Sequence, residues 1–212
     1  MTRGDWRVYV ITDSHHARGR SHRDIAEAAL RGGATAVQLR MKEEPARQIL
    51  EAARAIASLC QAAGATFIVN DRVDVALAAG AHGVHVGQED LPAEEARALI
   101  GPGTLLGVSA ATVEEARAAE RAGADYLGVG SVYPTATKSD AGAPVGLDRI
   151  QEIRRAVRLP IVGIGGITID NAPAVIRAGA QGVAVITAVT LADDMAAATR
   201  RLREEVDGAV PG

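Results

Sequence analysis

Cysteine is almost missing from this chain of 212 residues: Cys60 stands alone, so no intramolecular disulfide can form. It lies in an alanine-rich helical stretch and reads as a small buried residue. Aromatic residues are scarce too, at 2%, which argues against a base-stacking platform for single-stranded nucleic acid. Neither charge sign dominates. The 23 basic and 26 acidic residues give a formal net charge of -3, no electrostatic footprint for nucleic acid or an anionic membrane. No apolar run approaches the ~18–20 residues of a membrane span, and the one near the N-terminus is too short for a secretory signal. The expectation is a cytoplasmic protein acting on small molecules, with the oligomeric state left open and a homo-oligomer among the options. One scarcity is odd: of the 23 basic residues only Lys42 and Lys138 are lysines.

What is present is a regular alternation. Hydrophobic residues make up 48% of the chain, enough for one domain, 1–212, with a sizeable core. Short runs rich in Val, Ile and Leu predict strands at 8–13, 36–42, 66–71, 83–88, 105–110, 126–132, 160–166 and 182–189. Between and after them, helical patterns occupy 21–31, 45–63, 73–79, 92–100, 113–122, 147–157, 172–178 and 193–206. A small-Gly-Ala element recurs at Gly32-Gly33-Ala34, Ala79-Gly80-Ala81, Ala122-Gly123-Ala124 and Ala178-Gly179-Ala180, just before each even-numbered strand. Glycine there ends a helix through a left-handed turn. Eight near-equal units, with no GxGxxG after the first strand, favour a single-domain α/β (β/α)8 TIM barrel over an open doubly wound sheet.

In such a barrel the site lies where strands end, and polar residues gather there. Along Gln38-Leu39-Arg40-Met41-Lys42 alternation puts Gln38, Arg40 and Lys42 on one face. The cations would then stand at the mouth and need anions; an exposed charged edge is the competing reading. Asp71 and Asp90 follow the third and fourth strands. Each reads either as a helix N-cap or as a hard oxygen ligand for Mg2+. The loop through Thr135, Ala136, Thr137 and Lys138 to Asp140 exceeds the usual strand–helix connection, which suggests a lid or a clamp. Gly163-Ile164-Gly165-Gly166, with Ile186 and Thr187, marks a phosphate loop after strands seven and eight, and Ser109 adds a hydroxyl. His15, His16 and His22 read as solvated loop residues, and His82 and His85 do not make a zinc site. No nucleophile with an activating base is evident. Two anion sites without one suit departure of a pyrophosphate better than covalent catalysis.

The motifs QLRMK, FIVNDRVDVALAAGAHGVHVGQEDLP, LGVS, GVGSVYPTATKSD, PIVGIGGI and AVITAV together resemble the thiamine-phosphate synthase (thiamine-phosphate pyrophosphorylase) family over nearly the whole chain. The resemblance implies a transferase that joins a hydroxymethylpyrimidine pyrophosphate to a thiazole phosphate carboxylate, with Mg2+ as cofactor. It implies that Gln38, Leu39, Arg40, Met41, Lys42, Asn70, Ser109 and Lys138 bind the pyrimidine pyrophosphate. Among these, Arg40, Lys42, Ser109 and Lys138 would act on the leaving group. Asp71 and Asp90 would hold the metal. Thr135, Ala136, Thr137, Gly166, Ile186 and Thr187 would bind the thiazole phosphate. Met41 stands where the family often has Glu, and Thr187 where Ser is common. The thiazole tautomerases, a sister group with the same phosphate loops, are the alternative; they typically lack the full metal and pyrophosphate set that this chain keeps.

Overall fold

The computed structural model describes residues 4–135, 137 and 143–210. Its strands are β1 (Val8–Thr12), β2 (Ala36–Leu39), β3 (Thr66–Asn70), β4 (Gly83–Val86), β5 (Leu105–Ala110), β6 (Tyr126–Val129), β7 (Ile161–Ile164) and β8 (Gly182–Val185). They close as one parallel barrel in chain order, β8 returning to pair with β1. Helices α1 (His22–Arg31), α2 (Ala46–Ala63), α3 (Val73–Ala79), α4 (Ala93–Ile100), α5 (Val113–Arg121), α6 (Gly146–Ala156), α7 (Ala172–Arg177), α8 (Thr187–Thr190) and α9 (Met195–Ala209) complete the described chain. None of them is long and apolar enough to cross a membrane.

The repeat does what its glycines suggest. Gly33, Gly80, Gly123 and Gly179 all have positive φ, at +92°, +64°, +83° and +110°, a backbone state that costs an L-residue about 1–2 kcal/mol. Helix starts are also written locally. Ser21 with Asp24 caps α1, and Thr112 with Glu115 caps α5, each as a reciprocal capping box.

Period-two alternation divides the apolar residues into two cores. Val8 and Val10 face outward and join Phe67, Ile150, Ile153 and Leu202 between strands and helices. Truncating such a fully buried side chain to alanine costs about 2–5 kcal/mol in comparable cores. Tyr9 and Ile11 face inward with Trp6, Ala36, Ile68, Tyr126, Val162 and Ala184. Trp6, which precedes β1, stacks on Tyr126 at a centroid distance of 3.9 Å and floors the barrel. The interior is therefore open only toward the ends where the strands run out.

Several strands are shorter than the apolar runs imply. β2 ends at Leu39 rather than 42, β6 at Val129 rather than 132, and β8 at Val185 rather than 189. The ladder stops where partners stop: Leu39 is the last β2 residue in register with Thr12 and with Val69. Beyond β8 the apolar run ITAV changes backbone at Ile186 and winds into the one-turn α8. An apolar run of that length does not by itself distinguish strand from buried helix.

Candidate active site

Above the Trp6 floor, a chain of buried polar groups crosses the barrel. Gln38 Nε2 donates to Tyr9 Oη at 2.8 Å, and the Tyr9 and Tyr126 hydroxyls meet at 3.0 Å. His85 Nδ1 lies 3.1 Å from Tyr126 Oη, and its Nε2 lies 3.0 Å from Ser109 Oγ. Burial pushes both phenols well up, so they stay protonated and able to donate. Gly107 makes this chain sterically feasible: a Cβ there would overlap the Tyr126 ring and His85 Nδ1.

These groups line a cavity of about 240 Å³, shared with Arg40, Asn70, Ser131, Thr135, Thr137, Gly165, Gly166, Ile186 and Thr187. A dry cavity of about 150 Å³ admits a benzene ring, so this one has room for a substituted heterocycle. Nine residues expected at the site from the sequence line it: Gln38, Arg40, Asn70, Ser109, Thr135, Thr137, Gly166, Ile186 and Thr187.

The cationic side of the mouth follows. Arg40 Nη1 donates to Asp13 Oδ2 at 2.7 Å, and Lys42 Nζ lies 3.5 Å from Asp71 Oδ2. Arg40 is mostly covered, its side chain 18% exposed, whereas Lys42 is paired with Asp71 but still 42% exposed. Asp71 has φ +60°, an uncommon backbone state for a residue other than glycine, and its carboxyl lies within hydrogen-bonding reach of Asp90. Burial, then Asp90, pushes the Asp71 carboxyl up to about 6, with Lys42 pulling the other way. Neither aspartate caps a helix. The N-cap residues of α3 and α4 are Arg72 and Pro92, neither making a side-chain cap, while Asp90 Oδ2 accepts from Gly87 N at 2.8 Å. Two carboxyl groups in contact repel when both ionise, and a hard divalent cation relieves that repulsion; the pair therefore fits Mg2+, whose usual protein share is one or two carboxylates. Among the described residues no group of three or more His, Cys, Asp and Glu side chains supplies a fuller cage.

The opposite wall is backbone. Gly165 and Gly166 have φ +95° and +63°, and Asn171 Nδ2 ties the Gly166 carbonyl at 3.0 Å. Ile186 and Thr187 open the single turn α8, in which the Val189 and Thr190 N–H groups both donate to the Ile186 carbonyl. A Cβ on Gly166 would sit 2.5 Å from the Pro134 carbonyl oxygen. Gly166→Ala is therefore expected to shift this loop and weaken anion binding about tenfold. Calorimetry with inorganic phosphate checks it; unchanged affinity would free the loop of that role.

Some expected site residues turn away from the cavity or lie outside the described residues, and one expectation, for His22, needs correction. Leu39 turns its side chain into the outer core, 1% exposed, because alternation carries it away from Gln38. Met41 also packs against that core while bordering a groove beside Arg40 and Lys42. Ala136 and Lys138, with the rest of their loop to Asp140, lie outside the described residues. His22 is not solvated: it is 8% exposed, with Nδ1 on Thr12 Oγ1 at 2.8 Å, and burial lowers its pKa.

Sequence reasoning missed Asp13, His85, Tyr9, Tyr126 and Ser131. For His85 a signal existed. In GVHVGQ the valines Val84 and Val86 take the outer face, so the same alternation that singled out Arg40 sends His85 inward.

Comparison with known proteins follows the same lines. The family model for thiamine monophosphate synthase matches residues 8–189. Thiamine-phosphate synthase of Moorella thermoacetica is 59% identical over 201 residues, covering 95% of this chain and 96% of that protein. The thiamine-phosphate synthase of Chloroflexus aurantiacus is 57% identical over 199 residues, covering 94% and 92%. The solved structure of thiamine phosphate pyrophosphorylase from Pyrococcus furiosus is 43% identical, covers 100% of both chains and superposes with a TM-score of 0.92.

Proposed function

The chain belongs to the thiamine monophosphate synthase family, and from that premise we propose how its cavity performs the transfer. The activity is thiamine-phosphate synthesis, a transferase reaction. In our reading a hydroxymethylpyrimidine pyrophosphate and a thiazole phosphate carboxylate meet in the barrel mouth. The C–O bond of the pyrimidine methylene breaks first, and its electron pair leaves with pyrophosphate. The thiazole nitrogen then donates its lone pair to the methylene carbon. Loss of carbon dioxide leaves a carbanion on the thiazolium ring, which takes up a proton.

The single observation that carries this reading is the meeting of nine expected residues around one cavity, with Asp71, which is in contact with Asp90, following the cavity-lining Asn70 in the chain. In this reading Arg40, Asn70 and Ser109 at the cavity wall and Lys42 in the adjoining groove receive the pyrophosphate side, and Lys138 is assigned there from the sequence. Their donors and charges stabilise the leaving oxygens more as negative charge builds, which lowers the barrier and not just the substrate's energy. Gln38, and the Tyr9–Tyr126–His85 chain behind it, offers fixed polar groups to the pyrimidine edge. Thr135, Thr137, Gly166, Ile186 and Thr187 anchor the thiazole phosphate, so the attacking nitrogen is held near the departing group. Leu39, Met41 and Ala136 would take part through their backbone. Asp71 and Asp90 would hold Mg2+, which when bound supplies charge stabilisation for the departing pyrophosphate. We place the enzyme in the cytoplasm, in keeping with its lone buried thiol and phosphorylated substrates.

The test is direct. The purified chain with both substrates and Mg2+ is expected to release thiamine phosphate and pyrophosphate in equal amounts, and to lose the reaction when a chelator removes Mg2+. No thiamine phosphate in the presence of Mg2+ would overturn the reading; undiminished synthesis after chelation would overturn its metal step alone.

A further inference from the structure

Asp13 is buried to 1% exposure although it is charged and stands at the open end of β1. A carboxylate in that setting needs strong partners, and the structure supplies four contacts. Oδ2 accepts from Arg40 Nη1 at 2.7 Å. Oδ1 accepts from His15 N at 2.9 Å and His16 N at 3.2 Å, and lies 3.3 Å from His16 Nδ1. Burial alone would raise the Asp13 carboxyl, but the His16 and Arg40 contacts override it and hold it below the usual carboxylate range. The group is therefore a fixed anion.

The loop that carries this anion is itself held by the segment that follows β8, the strand beside β1. Thr190 Oγ1 donates to the His16 carbonyl at 2.5 Å, and Arg20 Nη1 donates to the Thr190 carbonyl at 2.8 Å. Arg20 Nη2 reaches the Asp193 carbonyl at 3.2 Å. Asp13 thus has little freedom to follow a moving partner. Arg40 sits in front of it, with a side chain 18% exposed that borders the cavity. A long arginine side chain at a mouth would otherwise sample many rotamers, and a guanidinium grips a phosphate well only when its plane is correctly turned.

We propose that Asp13 is a positioning residue: through its contact with Arg40 Nη1 it sets the guanidinium in the orientation that receives the pyrophosphate of the pyrimidine substrate. This rests on the assignment of Arg40 to the pyrophosphate side. A purely structural ion pair would not need its cation at the cavity wall. Nor would it need a carboxylate held by backbone N–H groups so that only one oxygen is left for the arginine. Preorganisation of this kind moves cost from the reaction to folding.

The experiment compares Asp13→Asn, Arg40→Ala and the double variant in the full chain with Mg2+, varying each substrate in turn. Asp13→Asn keeps the shape and an oxygen for the loop N–H groups. It is expected to lower kcat/KM for the pyrimidine pyrophosphate by about 10–100-fold, and to weaken pyrophosphate binding by calorimetry alongside. KM for the thiazole phosphate should stay within about twofold, and the double variant should be no worse than Arg40→Ala. Additive losses, an equal change in both substrates, or unchanged kinetics would overturn the proposal. Normal kcat/KM for the pyrimidine substrate in Arg40→Ala would instead overturn the site assignment beneath it. If Asp13→Asn does not fold, Asp13→Ser is read by the same kinetics. Failure of both to fold makes the carboxylate structural and overturns the proposal.

Discussion

Asp71→Asn is expected to raise the Mg2+ concentration needed for half-maximal synthesis by at least about 10²-fold. Even outer partners of metal ligands cost about 10–100-fold when removed, and under the proposed function this change removes a direct oxygen ligand from a set of two. The same substitution should erase a pH effect. In the unaltered protein the Asp71 carboxyl, raised by burial and by Asp90 to about 6, holds a proton below that pH, and metal binding must displace it. Mg2+ demand should therefore climb as pH falls through about 6, and the climb should vanish in Asp71→Asn. The sign for stability runs the other way. Because the folded carboxyl binds its proton more tightly than an unfolded one near the usual value of about 4, the metal-free protein loses stability as pH rises from there to about 6. Added Mg2+ should restore it. Thermal melts and Mn2+ calorimetry read these effects without turnover. A Mg2+ response that does not move in Asp71→Asn would remove Asp71 from the ligand set.

The second large effect concerns the two lysines. Lys138→Ala is expected to cut turnover by about 10²–10³-fold, the usual consequence of removing one donor from a group that stabilises developing charge. Its effect on thiazole phosphate affinity should be small. Lys138 lies outside the described residues; of the same loop, Thr135 and Thr137 line the cavity, and Thr137 also borders the groove of Arg40 and Lys42. Replacement by arginine should be costly too, at Lys42 as at Lys138. An ammonium is a compact point charge on a flexible stem that can follow a departing phosphate, which a planar guanidinium does less readily. In a chain that otherwise uses arginine throughout, this would explain why these two positions do not. Near-normal turnover in both Lys→Arg variants would leave the lysine count a compositional accident.

Much of the fold was legible because its determinants are local. Alternating valines and isoleucines, capping residues such as Ser21 and Thr112, and repeated glycines at helix ends are written within a few residues of the structure they cause. The closing register of eight near-equal units follows from their number and length. The rim residues were legible for a related reason. Where an apolar run ends in a polar one, as at Gln38 to Lys42 or Asn70 to Asp71, a parallel barrel places that end at its mouth.

The contacts that give the site its chemistry were not legible, because they join distant parts of the chain. Tyr9 and Tyr126 stand 117 residues apart in sequence and meet only because β1 and β6 face each other across a closed barrel. Asp71 and Asp90 read either as caps or as ligands from adjacent strands; that their carboxyls come within reach of each other is decided by the pairing of β3 with β4. Asp13 read as the last residue of a strand until β2 brought Arg40 beside it. By itself the sequence determined the barrel, the end of it that carries the site and most of the residue types gathered there, since periodicity and turn chemistry act over a few residues. Only the tertiary structure decided which charges share a space and which polar groups are buried together, because burial and Coulomb interaction depend on distance through space and not along the chain.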